Sequence, residues 1–66
     1  MEQNIDTLIE RAIANTQGYL RAPDRDRRIA RAGLQRILAD VAARAPAHPA
    51  LSRLAAFIDD LRQGAR

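Results

Sequence analysis

The sequence has no cysteine, tryptophan or lysine, and only two of its 66 residues are aromatic. Without cysteine the chain can form neither a disulfide nor a zinc thiolate site, the two features that most often stabilise very small domains. A nucleophilic thiol is excluded as well. Folding must therefore depend on the packing of apolar side chains or on association with another molecule.

Long apolar stretches are also missing from the sequence. The longest run, residues 54–58, is far shorter than the roughly 20 residues that a helix needs to span a bilayer. Residues 1–4 lack the basic residues that begin a typical signal peptide. We therefore expect a cytoplasmic protein that does not enter the membrane.

Glycine and proline occur three times each, and the prolines divide the chain into segments. Pro23 ends the first segment, and Pro46 and Pro49 separate the second from the third. At 7.3 kDa the chain has room for one domain, residues 1–66. Ile, Leu, Val and Phe together number only 15, so we expect a small core of modest stability.

Each segment has apolar residues at helical spacing, with polar residues on the opposite side. The first apolar face comprises Ile5, Leu8, Ile9, Ala12, Ile13, Thr16, Tyr19 and Leu20. The second comprises Ala30, Leu34, Ile37, Leu38, Val41 and Ala45, and the third comprises Leu51, Leu54, Phe57, Ile58 and Leu61. The pattern predicts helices over about 4–20, 24–45 and 49–63, hence an all-α, three-helix bundle.

Enzymatic chemistry has little support in the sequence. The only histidine, His48, lies between two prolines, where a surface or helix-start role is expected. Asp59 and Asp60 are adjacent, so on a helix their carboxylates diverge by about 100° and cannot act as a pair. Phosphate-binding loops, metal-ligand clusters and nucleophile triads are absent. We expect no catalytic residues, no metal and no cofactor.

Positive charge is concentrated in the middle of the chain. Residues 1–20 have a net charge of −2, whereas residues 21–36 contain six arginines and two aspartates. These arginines are Arg21, Arg25, Arg27, Arg28, Arg31 and Arg36. Arginine without lysine is typical of a GC-rich, bacterial genome, so the composition alone does not indicate a function. The simplest interpretation is a solvated face with internal ion pairs, such as Asp24 with Arg28.

The positive charge also suggests a small DNA-binding regulator of the helix-turn-helix type. In that motif the third helix presents basic and polar residues near its start, but here it begins with Ala50, Leu51, Ser52 and Arg53. The preceding connection has two prolines and no glycine, unlike the usual tight turn. We therefore keep DNA binding as the alternative and expect weak nucleic-acid affinity or none.

A protein partner fits the second helix better. Ile29 lies about 125° from the centre of the apolar face, so the core is not expected to cover it. Small residues and arginines surround it, and arginine is enriched in interface hot spots. The predicted partner-binding residues are Arg25, Arg28, Ile29, Gly33 and Arg36. We expect a non-enzymatic regulator that modulates or sequesters a protein with an acidic surface, such as a transcription factor; a homodimer is also compatible.

Overall fold

The computed structural model describes residues 4–64, and this part of the chain forms a three-helix bundle without strands. The helices are α1 (Ile5–Thr16), α2 (Asp24–Arg44) and α3 (Ala50–Gln63), with a 3₁₀ segment (Gln17–Arg21) after α1. The predicted all-α fold and its three helices are thus confirmed. None of the helices in the described range is long and apolar enough to cross a membrane.

The first helix differs from the prediction at its end. It begins at Ile5 and is capped by Asn4, whose side chain accepts a hydrogen bond from the backbone N–H of Asp6 at 2.9 Å. The α-helix stops at Thr16 instead of reaching residue 20, and the Thr16 hydroxyl donates to the carbonyl of Ala12 at 2.7 Å. Such side-chain bonds to the preceding turn compete with regular helix, and Gly18 weakens the helix further.

The 3₁₀ segment changes which side chains face the core. Successive residues turn by about 120° in a 3₁₀ helix and by about 100° in an α-helix, so the apolar face of α1 does not continue unchanged. Leu20 packs against the core, but Tyr19 is 42% exposed. The assignment of Tyr19 to a continuous apolar face was therefore wrong.

Prolines and caps set the other helix boundaries. Pro23 precedes α2, and Ala45 ends it just before Pro46. At the start of α3, His48 accepts a hydrogen bond from the Ala50 N–H through Nδ1 at 3.1 Å. This histidine therefore has the helix-start role expected of it. Gly64 ends α3 with a φ of 79°.

The core lies mainly beneath α3, which packs most extensively against α2. The fully buried or nearly buried residues are Ile9, Leu34, Val41, Ala50, Leu54, Phe57, Ile58 and Leu61. Ala50 joins the apolar face predicted for α3, because it lies four residues before Leu54 on the same side of the helix. By contrast, Leu38 of α2 is only half-buried. The core therefore covers one side of α2 and leaves its opposite side to solvent.

Candidate partner-binding face

The candidate site is the side of α2 that faces away from the core, and Ile29 lies at its centre. The Ile29 side chain is 68% exposed, the largest value among the large hydrophobic residues of the described part. This matches the position that helix geometry assigns to it. A second exposed hydrophobic residue, Tyr19, approaches this face from the 3₁₀ segment.

Tyr19 and Ile29 line one open groove between α2 and the N-terminal part of the described chain, formed by α1 and the 3₁₀ segment. The groove has a volume of about 300 Å³. Its lining residues are Ala12, Asn15, Thr16, Tyr19, Ile29, Ala30, Gly33, Leu34 and Ile37. The two large exposed hydrophobics of residues 4–64 are thus brought to a single site. Sequence reasoning missed Tyr19 because it assumed an unbroken α1, although Thr16 and Gly18 are signals of an early end.

A shallower depression lies on the other side of Ile29. It is lined by Ile29, Ala32, Gly33, Gln35, Arg36 and Ala39. Ile29 and Gly33 therefore border both hollows, with Ile29 standing between them. The structure brings together three of the five predicted residues here, Ile29, Gly33 and Arg36. Arg25 and Arg28 lie nearer the start of α2 and line neither hollow.

Gly33 is not required by the fold. A Cβ atom built at this position would meet no heavy atom within 4 Å outside its local backbone. Glycine within a helix is about 1 kcal/mol less favourable than alanine. If this glycine has a packing role, it must involve a molecule outside the bundle that contacts the exposed side of α2.

The predicted arginines of this face differ in their surroundings. Arg28 forms an exposed ion pair with Asp24 at 3.0 Å, as the simplest interpretation of the arginine run proposed. Arg25 and Arg36 are exposed and form no ion pair with any residue in 4–64. These two guanidinium groups are therefore available on the solvent side of α2.

Arg27 belongs to the bundle. Its Nε donates to the Leu61 carbonyl at 2.8 Å, and its Nη1 donates to the Ala22 carbonyl at 2.8 Å. Its Nη2 also pairs with Asp24 at 3.3 Å. Only 17% of the Arg27 side chain is exposed. These acceptors within the molecule stabilise the positive charge of Arg27, although it lies near the positive end of the α2 helix dipole.

Arg31 faces the opposite edge of α2. It lines a hollow against α3, together with Asp59 and Arg62, and its Nε is buried without a hydrogen-bond partner among the described residues. Arg62 pairs with Asp59 at 2.8 Å. The arginine run is therefore divided between the bundle interior, the α2–α3 edge and the outer face of α2.

The start of α3 has few free polar side chains. Ala50 is buried and Leu51 is half-buried. Arg53 reaches across to α1, where it pairs with Asp6 at 3.0 Å and with Glu10 at 3.5 Å. A third helix that reads DNA would present free positive side chains near its start. Here the arginine at that position, Arg53, already has two carboxylate partners.

Several titratable groups of the described range are engaged in local hydrogen bonds. His48 is occupied by the Ala50 N–H, and Asp59 accepts hydrogen bonds from Arg62 and Gln63. Among residues 4–64, no three His, Cys, Asp or Glu side chains are grouped so that they could hold a metal ion.

Comparison of the chain with protein-family models, curated proteins and solved structures found no match.

Proposed function

We propose that this chain is a non-enzymatic regulatory module that binds a protein partner through the outer face of α2. By covering a surface of that partner it modulates or sequesters it, as antiactivators, anti-sigma-like factors and protein inhibitors do. A transcription factor in the cytoplasm is one such target. The observation that carries the proposal is the meeting of Tyr19 and Ile29 on one open groove.

Burial of these two side chains would stabilise a complex. Removing a large aliphatic side chain from water contributes about 1.5–3 kcal/mol, and Ile29 is still mostly exposed in the isolated chain. Tyrosine adds an apolar ring with a polar end, which is why it is enriched at protein interfaces. Ala30 and Gly33 also line the groove, and their small size leaves room for a side chain of the partner.

The free arginines favour carboxylates at the edge of the interface. Arg25 lies one turn before Ile29 on α2, and Arg36 lies beside Ile29 in the shallow depression. Guanidinium groups form bidentate hydrogen bonds with carboxylates, and opposite charges at an interface accelerate association. A partner with acidic residues around an apolar side chain would therefore suit this face.

DNA binding ranks below protein binding in this proposal. Two of the arginines that could have contacted phosphates or bases, Arg27 and Arg53, are engaged within the bundle. The exposed aliphatic side chain of Ile29 would not be buried against the charged phosphate backbone of DNA. The observations therefore support a protein as the binding partner.

Capture of proteins by the tagged chain from lysate of the source organism, with and without nuclease, tests the proposal. The partner is identified by mass spectrometry and then assayed in purified form. Ile29→Asp places a charge in the contact, and Gly33→Leu holds the two surfaces apart. The matched control is Ala56→Asp, at an exposed position in the middle of α3.

We expect Ile29→Asp and Gly33→Leu to lose the partner while their circular dichroism and melting remain those of a folded bundle. Ala56→Asp should bind the partner as the unmodified chain does. Equal binding by Ile29→Asp and Ala56→Asp would contradict the proposal. Loss of all capture after nuclease treatment would favour the DNA-binding alternative.

A further inference from the structure

We propose that a second copy of this chain covers the outer face of α2, with the two α2 helices antiparallel and crossing at Ala32 and Gly33. The inference rests on the proposed function, because self-association would hide the same Ile29 that binds the partner. The homodimer would thus be a closed form, and the monomer would be the form competent to bind.

The order of charges along α2 supports a self-complementary contact. Arg25 lies seven residues before Ala32, and Asp40 lies seven residues after Gly33. At 1.5 Å per residue, each is about 11 Å from the crossing point. In an antiparallel pair, Arg25 of one copy therefore comes opposite Asp40 of the other, and the two-fold symmetry forms this pair twice.

Both charged groups are accessible for such a pair. Arg25 is exposed and has no ion-pair partner within residues 4–64. The Asp40 side chain is 57% exposed, and its one ion pair in that range is a 3.5 Å contact with the exposed Arg44. Exchanging this loose contact for an intermolecular pair would disturb nothing in the core.

The residues nearer the crossing point are also complementary when the two α2 helices are antiparallel. Ile29 and Arg36 lie at equal distances on either side of it, so Ile29 of one copy meets the aliphatic part of Arg36 of the other. Long arginine side chains commonly cover apolar groups in this way while the guanidinium stays in water. Ile29 and Arg36 already line one depression in the single chain.

Gly33 provides a separate observation. The bundle has space for a Cβ atom there, so the absence of a side chain serves no packing need within the chain. At a helix crossing, however, a missing side chain allows two backbones to approach closely. The charge pattern thus centres the dimer at a position where packing within the chain does not require glycine.

The mixed charge of this face distinguishes a second copy from other occupants. A parallel pair would place Arg25 against Arg25 and Arg36 against Arg36, and like charges facing each other are destabilising. A surface that is acidic throughout would also meet the exposed Asp40, whereas the partner proposed above needs carboxylates only opposite Arg25 and Arg36. The antiparallel second copy is the arrangement that opposes Arg25 to an aspartate.

Charge reversal in the full chain tests the inference. Sedimentation velocity over a concentration series would compare the unmodified chain with Arg25→Asp, Asp40→Arg and the double variant. An acidic residue in the first turn and a basic one near the last turn both suit the helix dipole, so neither change should unfold α2. Ala56→Asp again serves as the control.

We expect concentration-dependent dimers of the unmodified chain. Each single reversal should weaken dimerisation by about tenfold, because two exposed pairs are lost and replaced by repulsion. The double variant should recover dimerisation close to that of the unmodified chain. A chain that remains monomeric throughout the series, or a double variant that fails to recover, would overturn the inference.

Failure of the inference and failure of the proposed function can be distinguished by combining these measurements with the partner-binding test of Ile29→Asp. If the chain is monomeric but Ile29→Asp still abolishes partner binding, the inference fails and the proposed function stands. If the charge reversals behave as expected but Ile29→Asp retains the partner, the dimer stands and the proposed function fails.

Discussion

The Nε of Arg27 donates a hydrogen bond at 2.8 Å to the carbonyl oxygen of Leu61, 34 residues later in the chain. The same guanidinium holds the Ala22 carbonyl, which precedes α2. One side chain thus connects the start of α2 with the last turn of α3, where the carbonyl groups lack partners within the helix and the helix dipole is negative.

Replacing Arg27 with alanine should reduce the free energy of unfolding by about 1.5–3 kcal/mol, because hydrogen bonds from a charged group to partly buried carbonyls are lost. Lysine should restore only part of this stability, since an ammonium lacks the planar fork that contacts two carbonyls. Urea denaturation would measure both. Arg25→Ala, which removes an exposed arginine, is the control, and an equal effect of Arg25→Ala and Arg27→Ala would contradict this role.

Gly64→Ala should destabilise the chain by about 1–3 kcal/mol, because its φ of 79° and ψ of 165° lie in a region essentially reserved for glycine. A Cβ atom there would also lie 2.9 Å from Cζ of Arg27. The loss should be smaller in an Arg27→Ala background, where that contact is gone. Additive losses in the double variant would show that only the backbone conformation matters.

Gly33→Ala should have the opposite effect on stability. The backbone at Gly33 is regular helix and the Cβ atom has space, so we expect a gain of up to about 1 kcal/mol. Denaturation of dilute protein would measure the effect on the single chain. A loss of stability would mean that Gly33 has a packing role within the bundle.

Leu54→Ala should cost about 2–5 kcal/mol, since this side chain is fully buried and its removal leaves a cavity. From the sequence, Leu38 and Ile58 are equally central to their apolar faces and have the same expected loss. The structure separates them, because Leu38 is half-buried and Ile58 is only 8% exposed. Thermal melting should therefore rank Leu38→Ala as milder than Ile58→Ala and Leu54→Ala.

Binding to DNA should be weak, insensitive to base sequence and rapidly lost as salt increases. The exposed arginines Arg21, Arg25 and Arg36 can attract phosphates, and such contacts release counterions and are therefore salt-dependent. Fluorescence anisotropy with random and genomic duplexes would measure the affinity. Sub-micromolar binding that distinguishes between sequences would place the DNA-binding function first.

Local patterns determined much of this molecule. The 100° spacing of apolar residues predicted three helices, and the prolines predicted where they are interrupted. The same spacing placed Ile29 outside the core, where it is found. The pair of Asp24 with Arg28 could also be foreseen, because residues four apart on a helix are neighbours.

Tertiary packing decided the contacts between residues that are far apart in the sequence. The sequence placed Arg27 in the same run of arginines as Arg25, and only the docking of α3 brings the Leu61 carbonyl to its guanidinium. The turn of Tyr19 toward the groove likewise depends on the 3₁₀ segment packing against α2. Periodicity specifies which side of a helix is apolar, whereas contacts between distant residues depend on how the helices cross.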